Sequence, residues 1–201
     1  MTTTRAGLPI LLAPFDEDEA DRVWQLCQDP DVQRWTTLPS PYPPEAAEQF
    51  INEYAPAGWH SMDDGTFTCD DAGPELVWGV RLPDGSPDAG LWGSIGLRRR
   101  GSGQLEIGWW LGAPVRGRGI MRAAVAKLIE VAFSPDGPIR ASEVIWRAKL
   151  GNEQSARVAQ QTGFTYTGVI VDPRHEDFKV WSAGIHPGDP TEPKSGWTVL
   201  G

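Results

Sequence analysis

Within one stretch, Leu105 to Phe133, the apolar spacing changes from every second residue to every third or fourth, and that change dictates a strand, a tight turn and a helix. Leu105, Ile107, Trp109 and Leu111 alternate along the first part, so Glu106, Gly108 and Trp110 share the opposite face of the strand. Met121, Val125, Leu128 and Ala132 then recur at helical spacing and form one buried stripe. The turn between them, Gly112 to Gly119, carries Arg116 and Arg118. A helix start has unpaired N–H groups and the positive end of the helix dipole, and Gly117 and Gly119 let a ligand approach the main chain. The block therefore predicts a phosphate cradle, with a plain tight turn and two solvated arginines as the alternative. Neither nucleotide fingerprint applies: Gly117-Arg118-Gly119-Ile120-Met121-Arg122 lacks the third glycine of the dinucleotide motif, and no Gly-Lys-Ser or Gly-Lys-Thr follows.

The rest of the chain alternates between the two kinds of element. Leu8 to Phe15 reads as a strand and Asp16 to Gln28 as a helix that stops at Asp29-Pro30. Trp35 to Pro44 is a proline-punctuated loop, and Pro44 suits the start of a helix from Glu45 to Tyr54. Strands are expected at Gly65 to Asp70 with Glu75 to Leu82, at Leu91 to Arg100 and at Gln104 to Leu111, separated by Gly-rich turns. Beyond the long helix come a strand from Glu143 to Lys149, a helix from Asn152 to Thr162, and strands from Phe164 to Val171 and Lys179 to Gly184. The order predicts an α/β chain with a mixed sheet.

Composition narrows the function. With 201 residues and 40% hydrophobic content the chain can bury one substantial core, so one domain is expected. Two cysteines, Cys27 and Cys69, are too few for a disulfide scaffold and lack metal spacing; with no leader or spanning segment in view, a cytoplasmic protein with reduced thiols, no metal and no membrane anchor is expected. A net charge of −9 argues against a nucleic-acid surface. The charge is uneven: residues 1 to 75 hold 15 acidic and 3 basic side chains, against 12 and 15 in the remainder.

The glycine and arginine turn resembles the pyrophosphate loop of the GNAT superfamily of acyl-CoA N-acyltransferases, whose motif is Arg or Gln, two residues, Gly, one residue, Gly or Ala. Here Pro114 occupies the leading slot of Pro114-Val115-Arg116-Gly117-Arg118-Gly119. A second block, Asn152-Glu153-Gln154-Ser155 followed by Thr162-Gly163-Phe164, resembles the superfamily's next strand-to-helix segment, in the right order. Glu106 to Leu111 and Asn152-x-x-Ser155 are most similar to the ribosomal-protein alanine N-acetyltransferase branch.

The resemblance implies an α/β (α+β) fold with a mixed, mostly antiparallel central sheet flanked by helices and a pyrophosphate loop at 111–121. It implies a single domain over 1–186 followed by a Pro-rich tail at 187–201. Acetyl-CoA, or another acyl-CoA, becomes the expected co-substrate, held by Trp110, Leu111, Arg116, Gly117, Arg118, Gly119, Ile120, Met121, Arg122 and Asn152. Trp35, Tyr42 and Trp59 become candidate acceptor contacts, with plain core packing an equally good reading of each.

Acyl transfer to an amine needs a deprotonated nitrogen, a polarised carbonyl and a stabilised thiolate. Glu106, in the central strand beside the space left by Gly108, is the candidate base by resemblance; an outward-facing charge or an ion pair is the alternative. Asn152 suits a helix N-cap, and by resemblance also contacts the pantetheine arm, with Ser155 near the thioester sulfur. Many superfamily members use a tyrosine in this helix, where Gln160 stands here, which leaves Ser155 as the proton or hydrogen-bond donor. The expected acceptor is a primary amine, either a small molecule or a protein N-terminus, because deprotonating an α-amine costs about 1 kcal/mol at neutral pH against roughly 4–5 for a lysine. A homodimer is compatible with this reading. The competing classes are a non-catalytic acyl-CoA-binding module and a protein-interaction domain using the ten tryptophans.

Overall fold

The computed structural model describes residues 1–65, 67–173 and 175–200. Among these residues eight strands form one sheet: β1 (Thr2–Thr3), β2 (Pro9–Ala13), β3 (Ala72–Leu82), β4 (Gly90–Gly101), β5 (Gln104–Leu111), β6 (Glu143–Lys149), β7 (Thr165–Asp172) and β8 (His175–Ile185), in the order β1-β2-β3-β4-β5-β6-β8-β7. Every neighbouring pair is antiparallel except β5 and β6. Among the described residues six α-helices accompany it: α1 (Ala20–Cys27), α2 (Pro30–Trp35), α3 (Pro44–Gln49), α4 (Ala55–Asp63), α5 (Ile120–Phe133) and α6 (Glu153–Gln161).

Alternation along β5 sorts the molecule into two layers. Leu105 and Ile107 are buried in the main core with Leu76, Ile95, Leu97, Leu128 and Phe164, which α5 and α6 help to enclose. On the other side a smaller cluster joins Val23, Leu26, Val32, Tyr42, Ala47 and Ile51 of α1 to α3 and the adjoining turns, with Trp110 packed against it. The face that carries Glu106, Gly108 and Trp110 thus looks toward the N-terminal helices, and the cleft lies between.

Three segments depart from expectation. Asp29-Pro30 ends one helix and begins another: Asp29 Oδ1 caps α2 by accepting from the N–H groups of Asp31 (2.9 Å) and Val32 (3.1 Å), with Pro30 in the first turn. The helix from Pro44 does not stop at Tyr54. A π-helical turn over Phe50–Tyr54 continues it into α4, which sets Pro56, an imide without an N–H, in the first turn of the new segment. Residues 67–70 form no strand, Thr66 lies outside the described residues, and β3 begins at Ala72.

The C-terminal segment docks. Trp197 is 5% exposed, its Nε1 donates to the Phe164 carbonyl at 3.1 Å, and its ring lies 5.5 Å from that of Trp146. Gly163, at φ +94°, leaves room for this docking, since a Cβ there would fall 2.4 Å from the Pro190 carbonyl oxygen.

Candidate active site

Parallel pairing of β5 with β6 ends at Ile107–Trp146, yet β5 runs on to Leu111 and β6 to Lys149. The two strands part there: among the described residues β5 beyond that point pairs with β4 alone, through Gly96–Gly108, Ile95–Trp109, Ser94–Trp110 and Gly93–Leu111. Two cavities, about 650 and 820 Å³, open along this parting and share Trp35, Thr36, Trp109, Trp110, Asn152 and Ser155.

The smaller cavity holds the phosphate cradle. Gly117 and Gly119 have φ of +75° and +76°, a left-handed backbone that costs another residue roughly 1–2 kcal/mol. Gly119 is the N-cap of α5, which has no side-chain cap, so its first N–H groups face the cavity lined by Gly117, Gly119, Ile120 and Met121. Arg122 lines the same cavity and has no ion-pair partner among the described residues.

The other two arginines are committed elsewhere. Arg116 donates from Nε to the Leu111 carbonyl (2.8 Å) and pairs with Asp29 (3.0 Å) and Asp31 (3.2 Å). It therefore clamps the loop to the N-cap of α2, with its edge on the cavity. Partial burial pushes the Asp29 carboxyl up, but the Arg116 hydrogen bond and charge and the two capping N–H groups outweigh it and hold the pKa below the ordinary value. Arg118 pairs with Asp88 at 2.7 Å and lines neither cavity, contrary to the expectation that it would face a phosphate. At the other end of α2, Lys149 Nζ donates to the carbonyls of Arg34 (2.8 Å) and Thr36 (2.6 Å), so α2 bridges the cleft and is tied at both ends.

At the junction of the cavities, Asn152 Oδ1 accepts from the Ser155 N–H at 3.2 Å and caps α6 as its sequence position foretold. Ser155 Oγ accepts from Trp146 Nε1 at 3.0 Å, and among the described residues no acceptor takes the hydroxyl proton. Gln160 lines neither cavity.

The larger cavity runs across the face of the sheet, where Gly96 and Gly108 pair side by side. Glu106 is 8% exposed and its Oε2 accepts from Arg100 Nε (2.9 Å), Arg100 Nη2 (2.6 Å) and Arg147 Nη1 (2.6 Å). Two guanidinium groups on one oxygen describe an ion-pair cluster. A second carboxylate, Glu75 on β3, lines the same cavity and was passed over in the sequence. Tyr42, 3% exposed, belongs to the smaller core, and Trp59 donates to the Val77 carbonyl (3.0 Å) and packs edge-on to Trp78 (5.0 Å). Both line neither cavity, so of the three expected acceptor contacts Trp35 alone faces the cleft. Among the described residues no cluster of three or more His, Cys, Asp or Glu could hold a metal, and no helix is long and apolar enough to cross a membrane.

A parted pair of parallel strands, a glycine turn opening a helix at the parting, and a capped helix on the far side define an acyl-CoA transferase architecture. Residues 10–165 match the family model described as the acetyltransferase (GNAT) domain, and the chain belongs to that family. It is 32% identical over 102 residues to YdaF of Bacillus subtilis (strain 168), provisionally named a ribosomal N-acetyltransferase; the match spans 47% of this chain and about half, 54%, of that protein. Mycobacterium smegmatis RimJ in complex with a CoA disulfide superposes with a TM-score of 0.69 at 16% identity, covering 92% of this chain and 85% of that one. A ribosomal-protein-S5-alanine acetyltransferase from Vibrio fischeri gives 0.67 at 15% identity, covering 90% and 94%. At these identities the superpositions establish the fold.

Proposed function

We propose that the protein is an N-acetyltransferase of the ribosomal-protein N-acetyltransferase branch, moving an acetyl group from acetyl-CoA to a primary amine by direct attack on the thioester. The observation that carries this reading is the meeting of two cavities at Ser155, one ending in a phosphate cradle and the other in a carboxylate-lined chamber. Acetyl-CoA supplies the activated acetyl group and leaves as the thiol.

The chain's own residues divide the work. The backbone of Gly117 to Met121 and the Arg122 guanidinium suit a diphosphate, and the unpaired side of β5 from Gly108 to Leu111 suits an extended arm laid along it. Asn152 fixes the start of α6, and the Ser155 hydroxyl, its lone pair taken by Trp146, turns its proton toward the departing sulfur. The acceptor enters from the larger cavity. An α-amine, either of a small molecule or at the N-terminus of a ribosomal or other protein, suits a single carboxylate base, since it costs about 1 kcal/mol to deprotonate at neutral pH. We place the enzyme in the cytoplasm with its acceptors.

Free thiol release with a mixed amine panel, measured beside calorimetric CoA binding, tests the proposal. Thiol release that depends on an α-amine, with CoA bound in the micromolar range or tighter, is expected. Binding without release would make the chain an acyl-CoA sensor, and no binding would end the proposal.

A further inference from the structure

Glu106 is the carboxylate that the sequence offers as base, but the chamber holds another whose geometry fits that role better. Glu75, 14% exposed at its side chain, gathers three donors on one oxygen: Oε2 accepts from the Tyr54 hydroxyl (2.6 Å) and Arg98 Nε (3.2 Å), with Arg98 Nη2 at 3.1 Å. Arg98 Nη2 also donates to the Tyr54 oxygen at 2.8 Å, which closes a three-residue ring. Burial, then the charge of Glu75, holds the Tyr54 phenol at about 12, so it stays a donor at physiological pH. The other oxygen, Oε1, receives no hydrogen bond from any described residue. It lies directly over Gly96, so close that a Cβ there would be 2.1 Å away. Beside it, a Cβ on Gly108 would meet nothing within 4 Å, so the carboxylate fills the space over Gly96 and its strand partner Gly108 leaves a hollow.

We infer that Glu75 is the general base for the acceptor amine, with Tyr54 and Arg98 as positioning residues and Glu106 as the anchor of Arg100 and Arg147. The inference rests on the acetyltransferase reading above. Glu75 Oε1 takes one proton from the ammonium, directly or through one water. The neutral nitrogen then forms a bond to the acetyl carbon as the carbon–sulfur bond breaks. The second nitrogen proton passes to the thiolate by way of the Ser155 hydroxyl, and Glu75 returns its own proton to solvent. A carboxylate with one oxygen fixed and one presented to the hollow meets the geometric requirement for a base. Glu106, with two guanidinium groups on a single oxygen, is held as an ion pair whose disruption would leave buried charge unpaired.

The other charged groups on this cavity are Arg98, Glu106, Arg147, Lys149, Asp172, Asp177 and Lys179, so the pH profile must be read in variants as well as in the native enzyme. Glu75→Gln is expected to lower kcat/KM for the amine by about 10²-fold or more, to move the acid limb of its pH profile up toward the amine's own ionisation, and to leave CoA affinity within about twofold. Gly96→Ala gives a second route, because its methyl displaces the Glu75 carboxylate without altering it; a loss in the same direction per folded enzyme is expected. Glu106→Gln is expected to lower the melting temperature and to cost less per folded enzyme than Glu75→Gln. Native kcat/KM and native pH profile in Glu75→Gln would overturn the inference, as would a larger loss in a well-folded Glu106→Gln. If the native enzyme neither binds CoA nor releases thiol, the acetyltransferase reading itself fails; if it turns over and Glu75→Gln matches it, the base assignment alone fails.

Discussion

Trp146 Nε1 donates a 3.0 Å hydrogen bond to Ser155 Oγ, so an indole buried in the sheet makes the hydroxyl at the cavity junction an acceptor on that side. The indole is a donor only, and the hydroxyl must therefore accept and turn its own hydrogen elsewhere. Trp197 of the C-terminal segment packs on the same indole, which links the tail to the site.

Trp146→Phe keeps a ring in place and removes this donor. At a net hydrogen-bond worth of roughly 0.5–1.5 kcal/mol, kcat is expected to fall about 3- to 10-fold with KM for acetyl-CoA little changed. In a Ser155→Ala background the same change should cost little more. Steady-state kinetics on the four members of this double-mutant cycle check the coupling, and independent losses would refute it.

Arg116 and Asp29 make stability depend on acid. The folded pKa of Asp29 lies below its unfolded value near 3.9, so its contribution is complete above that value and is lost as pH falls through the folded pKa. Melting curves between about pH 2.5 and 7 should therefore show a shallower acid decline for Asp29→Asn than for the native protein. The variant also loosens the loop from α2, so CoA affinity should drop at neutral pH.

Arg122 and Arg118 should separate in CoA binding. Arg122 faces the cradle without a carboxylate partner among the described residues, whereas Arg118 is engaged with Asp88. Calorimetry should show Arg122→Ala weakening CoA by about tenfold, the worth of one charge-assisted contact, and Arg118→Ala by much less.

Gly108 offers a steric test of the acceptor chamber. An added side chain there meets no atom within 4 Å of its Cβ, so Gly108→Val should keep the native melting temperature. It should raise KM for the amine several-fold while CoA binding holds.

Much of this arrangement could be read from the chain itself. The strand-turn-helix at Leu105 to Phe133 and the cap at Asn152 are local, fixed by spacing and by residues within one turn of each other. What escaped were relationships across distance. Pro30 stops one helix and starts the next, and the sequence records the stop more loudly than the start. The continuation of the helix past Tyr54 escaped because a π turn leaves no periodic trace. Arg116 looks like a phosphate ligand until Asp29, 87 residues away, is brought against it. Glu75 had one available signal, its alternation with the buried Leu76, but alternation does not say which face of β3 meets a cavity. Tyr42 and Trp59 illustrate the same gap, since an aromatic residue packs as readily inward as onto a ligand.

In the proposed reaction the thioester lies where the two cavities join, beside Ser155. A crystal structure with acetyl-CoA bound measures this directly. The diphosphate is expected on the N–H groups at the start of α5 and the sulfur within hydrogen-bond reach of Ser155 Oγ. A cofactor bound outside the parting of β5 and β6, or a sulfur remote from Ser155, would contradict it.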